Sequence, residues 1–181
     1  MIIDKKKFQD ALFERYDNFN NKIYLDKSLE NFFNIEIILE FFPEAKFIHT
    51  YRNPVDSILS IYQSMLPELS WVHNLEDILE YIDLYYKILS YLKNKYPEAI
   101  MDLNLEKFSE FSEKFTKEIY KFCNLNWNED SLKFYKRDDL FSKTLSFMQI
   151  RNKISKYDDK KYNSYVFLLR KFKNKYKWLK V

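Results

Sequence analysis

The 181-residue chain is 46% hydrophobic and 31% charged, enough apolar material for one packed core beneath a charged surface. Its net charge of +3, with acids and bases interleaved, argues against nucleic acid as a partner. No apolar run approaches the roughly 18–20 residues that cross a bilayer, so no membrane span is expected. The single cysteine, Cys123, cannot pair within these residues and fits a reducing compartment; a cytoplasmic location is expected. The start, Met1 to Lys7, lacks the apolar segment of a signal peptide. There is no glycine at all, which excludes a glycine-rich phosphate loop among these residues.

In chain order, residues 1–21 read as a helix, with Phe8, Leu12 and Tyr16 spaced by fours. Ile23-Tyr24-Leu25 is a short β-prone run before Asp26-Lys27. Ser28 is a candidate N-cap for a helix to Phe42, with Leu29, Phe32, Phe33, Ile37 and Phe41 on one face. Lys46 to Tyr51 reads as a strand. Asn53-Pro54 then reads as an N-cap with proline at the first helical position, opening a helix to about Met65 with Asp56 in its first turn.

A loop around Trp71 leads into a long helix, Leu75 to about Lys95, which Pro97 ends. Ala99 to Leu103 is a third strand, followed by helices over Leu105–Cys123 and Glu129–Tyr135. Residues 136–158 are polar and irregular. Lys161 to Trp178 reads as a final helix with Tyr165, Leu168, Leu169, Phe172 and Tyr176 apolar on one face. Short strands separated by helices argue an α/β fold with a parallel sheet, and three strands are few for one. His49, His73 and Cys123 lack metal-ligand spacing, so no metal is expected, and His49 reads as a satisfied core residue.

Four segments carry a family resemblance. Phe42 to Tyr62, with its strand, Arg52-Asn53-Pro54 and Ser60 eight residues after the arginine, resembles the 3′-phosphate-binding motif of PAPS-dependent sulfotransferases. Asp26-Lys27-Ser28-Leu29-Glu30-Asn31-Phe32 resembles the family's Asp-Lys-x-Pro-x-Asn-Phe stretch, with leucine for proline. Phe122-Cys123-Asn124-Leu125-Asn126-Trp127 and Thr144-Leu145-Ser146-Phe147-Met148-Gln149-Ile150-Arg151 resemble segments of its tyrosylprotein sulfotransferase-like branch. The match runs from about Lys22 to Tyr165.

The resemblance implies a partial P-loop-like, three-layer parallel sheet flanked by helices, with a helix-rich C-terminal half, forming one domain over residues 1–181. It implies transfer of a sulfuryl group from the co-substrate PAPS to a hydroxyl or phenol on a small molecule or a protein. Arg52, whose planar fork suits a phosphate, and Ser60 are then the 3′-phosphate contacts. Arg151 is a further contact to the nucleotide phosphate. Lys27 and Ser146 are the residues at the reacting group, Lys27 offsetting charge on the leaving oxygen. The alternative role for Arg52 is a surface ion pair with Asp56.

The sequence departs from the family in three places. The glycine- and threonine-containing loop for the 5′-phosphosulfate has no counterpart in residues 1–21, which reads as an N-terminal truncation. Leu105-Glu106-Lys107-Phe108 stands where the family has Tyr-Glu-Asp-Leu. Tyr157-Asp158-Asp159-Lys160-Lys161-Tyr162 stands where it has Ser-Ser-x-Gly-x-Trp, and its two acids would repel phosphate. Two further readings remain beside catalysis. One is a non-catalytic interaction domain whose open sheet edge docks a partner chain; the other is a stretch of a longer gene product.

Overall fold

The computed structural model describes residues 4–14, 23–29, 31–137 and 151–181. It divides into two compact units, Met1–Ala45 and Lys46–Val181.

In the N-terminal unit, α1 spans Lys5–Glu14 and α2 spans Asn31–Phe41. Asp4 caps α1 by accepting from the Lys6 and Lys7 amides at 3.1 and 3.3 Å. The two helices are tied by Gln9 Nε2 donating to the Phe41 carbonyl and by a Lys5–Glu40 pair at 3.4 Å. The helix expected from Ser28 starts later, at Asn31, and its apolar face is not the one expected. Ile35 is buried, whereas Leu29, Phe33 and Ile37 are exposed. Seven of the eleven residues of α2 are Ile, Leu or Phe, so the sequence offers no polar side to fix which face turns inward. The β-prone run Ile23-Tyr24-Leu25 is irregular and exposed rather than a strand. Three residues without a neighbouring strand form no ladder.

The C-terminal unit is built on a parallel pair, β1 (Phe47–Tyr51) and β2 (Ile100–Asn104), in register Phe47↔Ile100 through Tyr51↔Asn104. Among the described residues the sheet has these two strands, not the three expected. The crossover carries α3 (Pro54–Ser64), a 3₁₀ turn (Ser70–His73) and α4 (Leu75–Lys95). Asn53 caps α3, its Oδ1 accepting from the Val55 amide at 3.0 Å, and Pro54 supplies the first turn's fixed φ. Asn74 caps α4 in the same way. These elements make the chain an α/β protein.

After β2, the single expected helix is two, α5 (Leu105–Glu110) and α6 (Ser112–Phe122), broken at Phe111 with φ −123° and ψ 48°. A 3₁₀ segment follows over Glu129–Lys136, capped by Asn128. The last helix is also 3₁₀, Asn163–Phe172. Its tighter pitch stacks residues three apart, which explains why Leu169 and Phe172 are buried while Tyr165 is 49% exposed.

The core lies where α3, α4 and the C-terminal segment meet. Ile58, Ile78, Leu79 and Leu169 are fully covered, packed with Val55, Leu59, Tyr162, Phe172, Tyr176 and Leu179. Each such aliphatic side chain stabilises the fold by about 1.5–3 kcal/mol. The basic tail is fastened to the acidic side of α4. Lys175 reaches Glu76 and Glu80 at 3.0 and 3.1 Å, and Trp178 Nε1 donates to Asp83 Oδ1 at 2.9 Å.

Candidate anion site at the sheet edge

The C-terminal ends of β1 and β2 meet at Asn53, Asn104 and Glu106. Glu106 accepts from the Asn53 amide at 2.7 Å and from Asn104 Nδ2 at 3.4 Å, so one carboxylate clips the two strand exits together. In a parallel α/β sheet this edge is where ligands gather.

Arg52 leaves β1 at that edge and is half-buried. Its Nε donates to Ser57 Oγ at 3.2 Å and its Nη2 to the Asp56 carbonyl at 3.4 Å. Both Nη1 hydrogens and one on Nη2 make no bond to the described residues, because a guanidinium carries five N–H donors and two are used. The expected hydroxyl partner, Ser60, gives way to Ser57, one turn nearer the helix start. The alternative ion pair with Asp56 is not formed either: Arg52 takes that residue's carbonyl, and the carboxylate accepts from the Tyr157 hydroxyl. Asp56 is 5% exposed, the only buried charged residue among those described.

Ser60 lies on the second turn of α3 and is half-buried, and Tyr162 is buried in the core cluster that includes Val55, Ile58 and Leu59 of the same helix. Burial works to raise the Tyr162 pKa, but Ser60, Lys161 and the Arg52 charge bring it below the ordinary phenol value. Tyr157 shifts the other way: burial and its bond to Asp56 push it up. Its amide also donates to Ser109 Oγ at 3.0 Å. Residues 157–162 therefore lie against the first two turns of α3.

The other predicted site residues are placed as follows. Lys27 belongs to the N-terminal unit, in the irregular stretch before α2, and is exposed. Ser146 and its neighbour Thr144 fall outside the described residues. Arg151 donates from Nη1 to the Arg137 carbonyl at 3.2 Å. Sequence reasoning missed Tyr157 and Tyr162, which stood out only as departures from a motif. It also missed Glu106 as a clip, since its partners come from two separate strand ends.

A second polar cluster spans the sheet. His49 and Asp102 are cross-strand neighbours, with Nδ1 to Oδ1 at 2.7 Å. His49 Nε2 meets the Tyr85 hydroxyl, and Lys93 holds Asp102 Oδ2 at 2.5 Å. Burial holds the imidazole below its ordinary pKa against the pull of Asp102. A neutral ring then donates through Nδ1 and accepts from Tyr85 at Nε2. His49 is satisfied on both nitrogens, as expected of a core residue. Among the described residues no group of three His, Cys, Asp or Glu is placed to hold a metal ion.

The geometry defines an α/β protein in which a half-buried arginine leaves the end of a parallel strand. The chain belongs to the Sulfotransferase family, whose model matches residues 1–129. That span contains Lys27, Arg52, Ser60 and Glu106 and ends before Tyr157 and Tyr162. The chain is also similar to an uncharacterized protein of Aquifex aeolicus (strain VF5), 30% identical over 152 residues. The match covers 78% of this chain and 19% of that relative, so the chain spans about a fifth of the relative's length.

Proposed function

We propose that the chain serves sulfuryl transfer from PAPS to a hydroxyl or phenol acceptor, on a small molecule or a protein, in the manner of the tyrosylprotein sulfotransferase-like branch. The acceptor oxygen attacks sulfur in line, the bond to the bridging oxygen breaks, and adenosine 3′,5′-bisphosphate leaves with that electron pair. Arg52, Ser60 and Arg151 are the proposed contacts to the nucleotide phosphate. Lys27 and Ser146 are the proposed residues at the sulfuryl group, the lysine offsetting charge on the bridging oxygen. The fold is read as part of a P-loop-like, three-layer sheet.

The observation that supports this reading best is Arg52. A half-buried guanidinium at a parallel strand end, held by neutral partners and leaving three N–H donors uncommitted, suits bidentate contact with a phosphate. Calorimetry with adenosine 3′,5′-bisphosphate tests it. Binding by the wild type that is lost in Arg52→Ala is the expected result; equal binding by both proteins overturns the assignment.

One observation favours a second reading, a binding domain completed by a partner strand. With Phe47 bonded to Ala99 at 2.8 Å, alternation turns the backbone groups of Ile48 and Thr50 away from β2. Among the described residues no strand pairs with that edge. A partner strand seated there would slow amide exchange at Ile48 and Thr50, and unchanged exchange with candidate partners would argue against it.

A further inference from the structure

Arg52, Asp56 and Glu106 meet at the sheet edge, and among the described residues none of these charges pairs with another. Glu106 is taken by the Asn53 amide at 2.7 Å and by Asn104 Nδ2 at 3.4 Å. Asp56 Oδ2 accepts from the Tyr157 hydroxyl. Arg52 gives Nε to Ser57 Oγ at 3.2 Å and Nη2 to the Asp56 carbonyl at 3.4 Å. Both carboxylates are held by neutral donors, beside a guanidinium held by neutral acceptors.

The arrangement at Asp56 runs against the usual rule. Its carboxylate is buried, at 5% exposure, and buried charges are ordinarily paired with an opposite charge. Arg52 is close by, since it already bonds the carbonyl of that same residue. Tyr157 is what engages the carboxylate instead, and the tyrosine has an anchor of its own. Its amide donates to Ser109 Oγ at 3.0 Å, and Ser109 Oγ donates to the Glu106 carbonyl at 2.7 Å. Ser57 steadies the arginine from the other side. Its Oγ donates to the Asn53 carbonyl at 3.3 Å while accepting from Arg52 Nε, so Nη1 keeps both hydrogens for a further acceptor.

We propose that Tyr157 is a positioning residue: by holding the Asp56 carboxylate it keeps that acid off Arg52 and leaves the guanidinium open to a phosphate monoester. This rests on the reading of Arg52 above as a phosphate contact. Without the phenol, Asp56 turns to Arg52, and the ion pair competes with the phosphate for the same N–H donors. Apparent affinity then falls with the fraction of molecules in which the guanidinium is open. The Arg52 charge felt at the Tyr157 phenol agrees with this closeness.

The test is calorimetry with adenosine 3′,5′-bisphosphate on wild type, Arg52→Ala, Tyr157→Phe, Asp56→Asn and the double variant Tyr157→Phe/Asp56→Asn. Tyr157→Phe should bind about ten- to a hundred-fold more weakly, as an ion pair favoured by that factor closes the guanidinium. Asp56→Asn removes the competing charge, so the double variant should regain wild-type affinity even where its urea midpoint stays low. A merely structural role for Tyr157 predicts affinity lost in both. If Arg52→Ala loses the bisphosphate while Tyr157→Phe binds like wild type, or its loss persists in the double variant, this inference fails and the Arg52 reading stands. If wild type and Arg52→Ala bind alike, or neither binds, both fall. Arginine side-chain NMR of the wild type needs no variant to fold: Arg52 Nη1 should rotate freely before ligand is added. Restricted rotation there would show the ion pair already formed and overturn the inference.

Discussion

Tyr157 donates its phenolic proton to Asp56 Oδ2, joining residues 101 positions apart. The acceptor is the buried carboxylate in the first turn of α3, where the helix dipole also favours negative charge. The contact fastens the segment after residue 151 onto the helix that follows Arg52.

Tyr157→Phe removes that bond and leaves Asp56 short of a partner. Hydrogen bonds to charged groups contribute roughly 1.5–3 kcal/mol, so a loss of that size in urea denaturation is expected. A double-mutant cycle with Asp56→Ala should show coupling. Additive effects of the two substitutions would mean the pair does not hold this segment.

Asn53→Ala should destabilise the fold by about 1 kcal/mol, because the Val55 amide loses its cap, while Asn53→Asp keeps an acceptor and should change little. The asparagine also keeps its own amide on Glu106. Glu106→Ala should therefore weaken the same helix start without touching the cap. Amide exchange at Asn53 and Val55 separates the two effects.

His49 gives the fold a sign of pH dependence. Its folded pKa lies below the unfolded value of 6.5 because burial disfavours the imidazolium. The unfolded state then binds more protons, so stability is fully present above about pH 6.5 and declines as pH falls toward the folded pKa. Asp102, partly buried but held low by Lys93 and His49, adds a loss at still lower pH, as its carboxylate protonates. Thermal melts across pH 7.5 to 5 should show a decline that His49→Gln flattens; parallel curves would remove His49 from this role.

The chain alone should bind adenosine 3′,5′-bisphosphate weakly and transfer no measurable labelled sulfate from PAPS to a phenol. A phosphosulfate is ordinarily gripped at its 5′ end by backbone amides behind a glycine-containing loop, and this sequence has no glycine. Robust turnover that Lys27→Ala abolishes, with bisphosphate affinity intact, would overturn that expectation and place Lys27 at the chemical step.

Much of the C-terminal unit was legible in local chemistry. Asn53-Pro54 announces a helix start because capping needs only a side-chain oxygen two residues from an orphan amide. The apolar rows of α4 and the strand around Ile48 follow from periodicity alone. Where several short apolar runs compete for one surface, periodicity fails. Ile23-Tyr24-Leu25 found no strand to pair with, α2 has apolar residues on every side, and the tighter pitch of 163–172 turned Tyr165 outward.

The sequence by itself determined the capped helix after Arg52, the strand before it and the absence of a glycine loop, since each depends on residues within a few positions. Only the tertiary structure decided what the site residues touch. Arg52 meets Ser57 rather than Ser60, and Asp56 answers to Tyr157. Tyr157 arrives from 101 positions away because the core of α3, α4 and the C-terminal segment brings it there. Hydrophobic burial is non-directional, so no local pattern in the sequence records which hydroxyl it will set beside which charge.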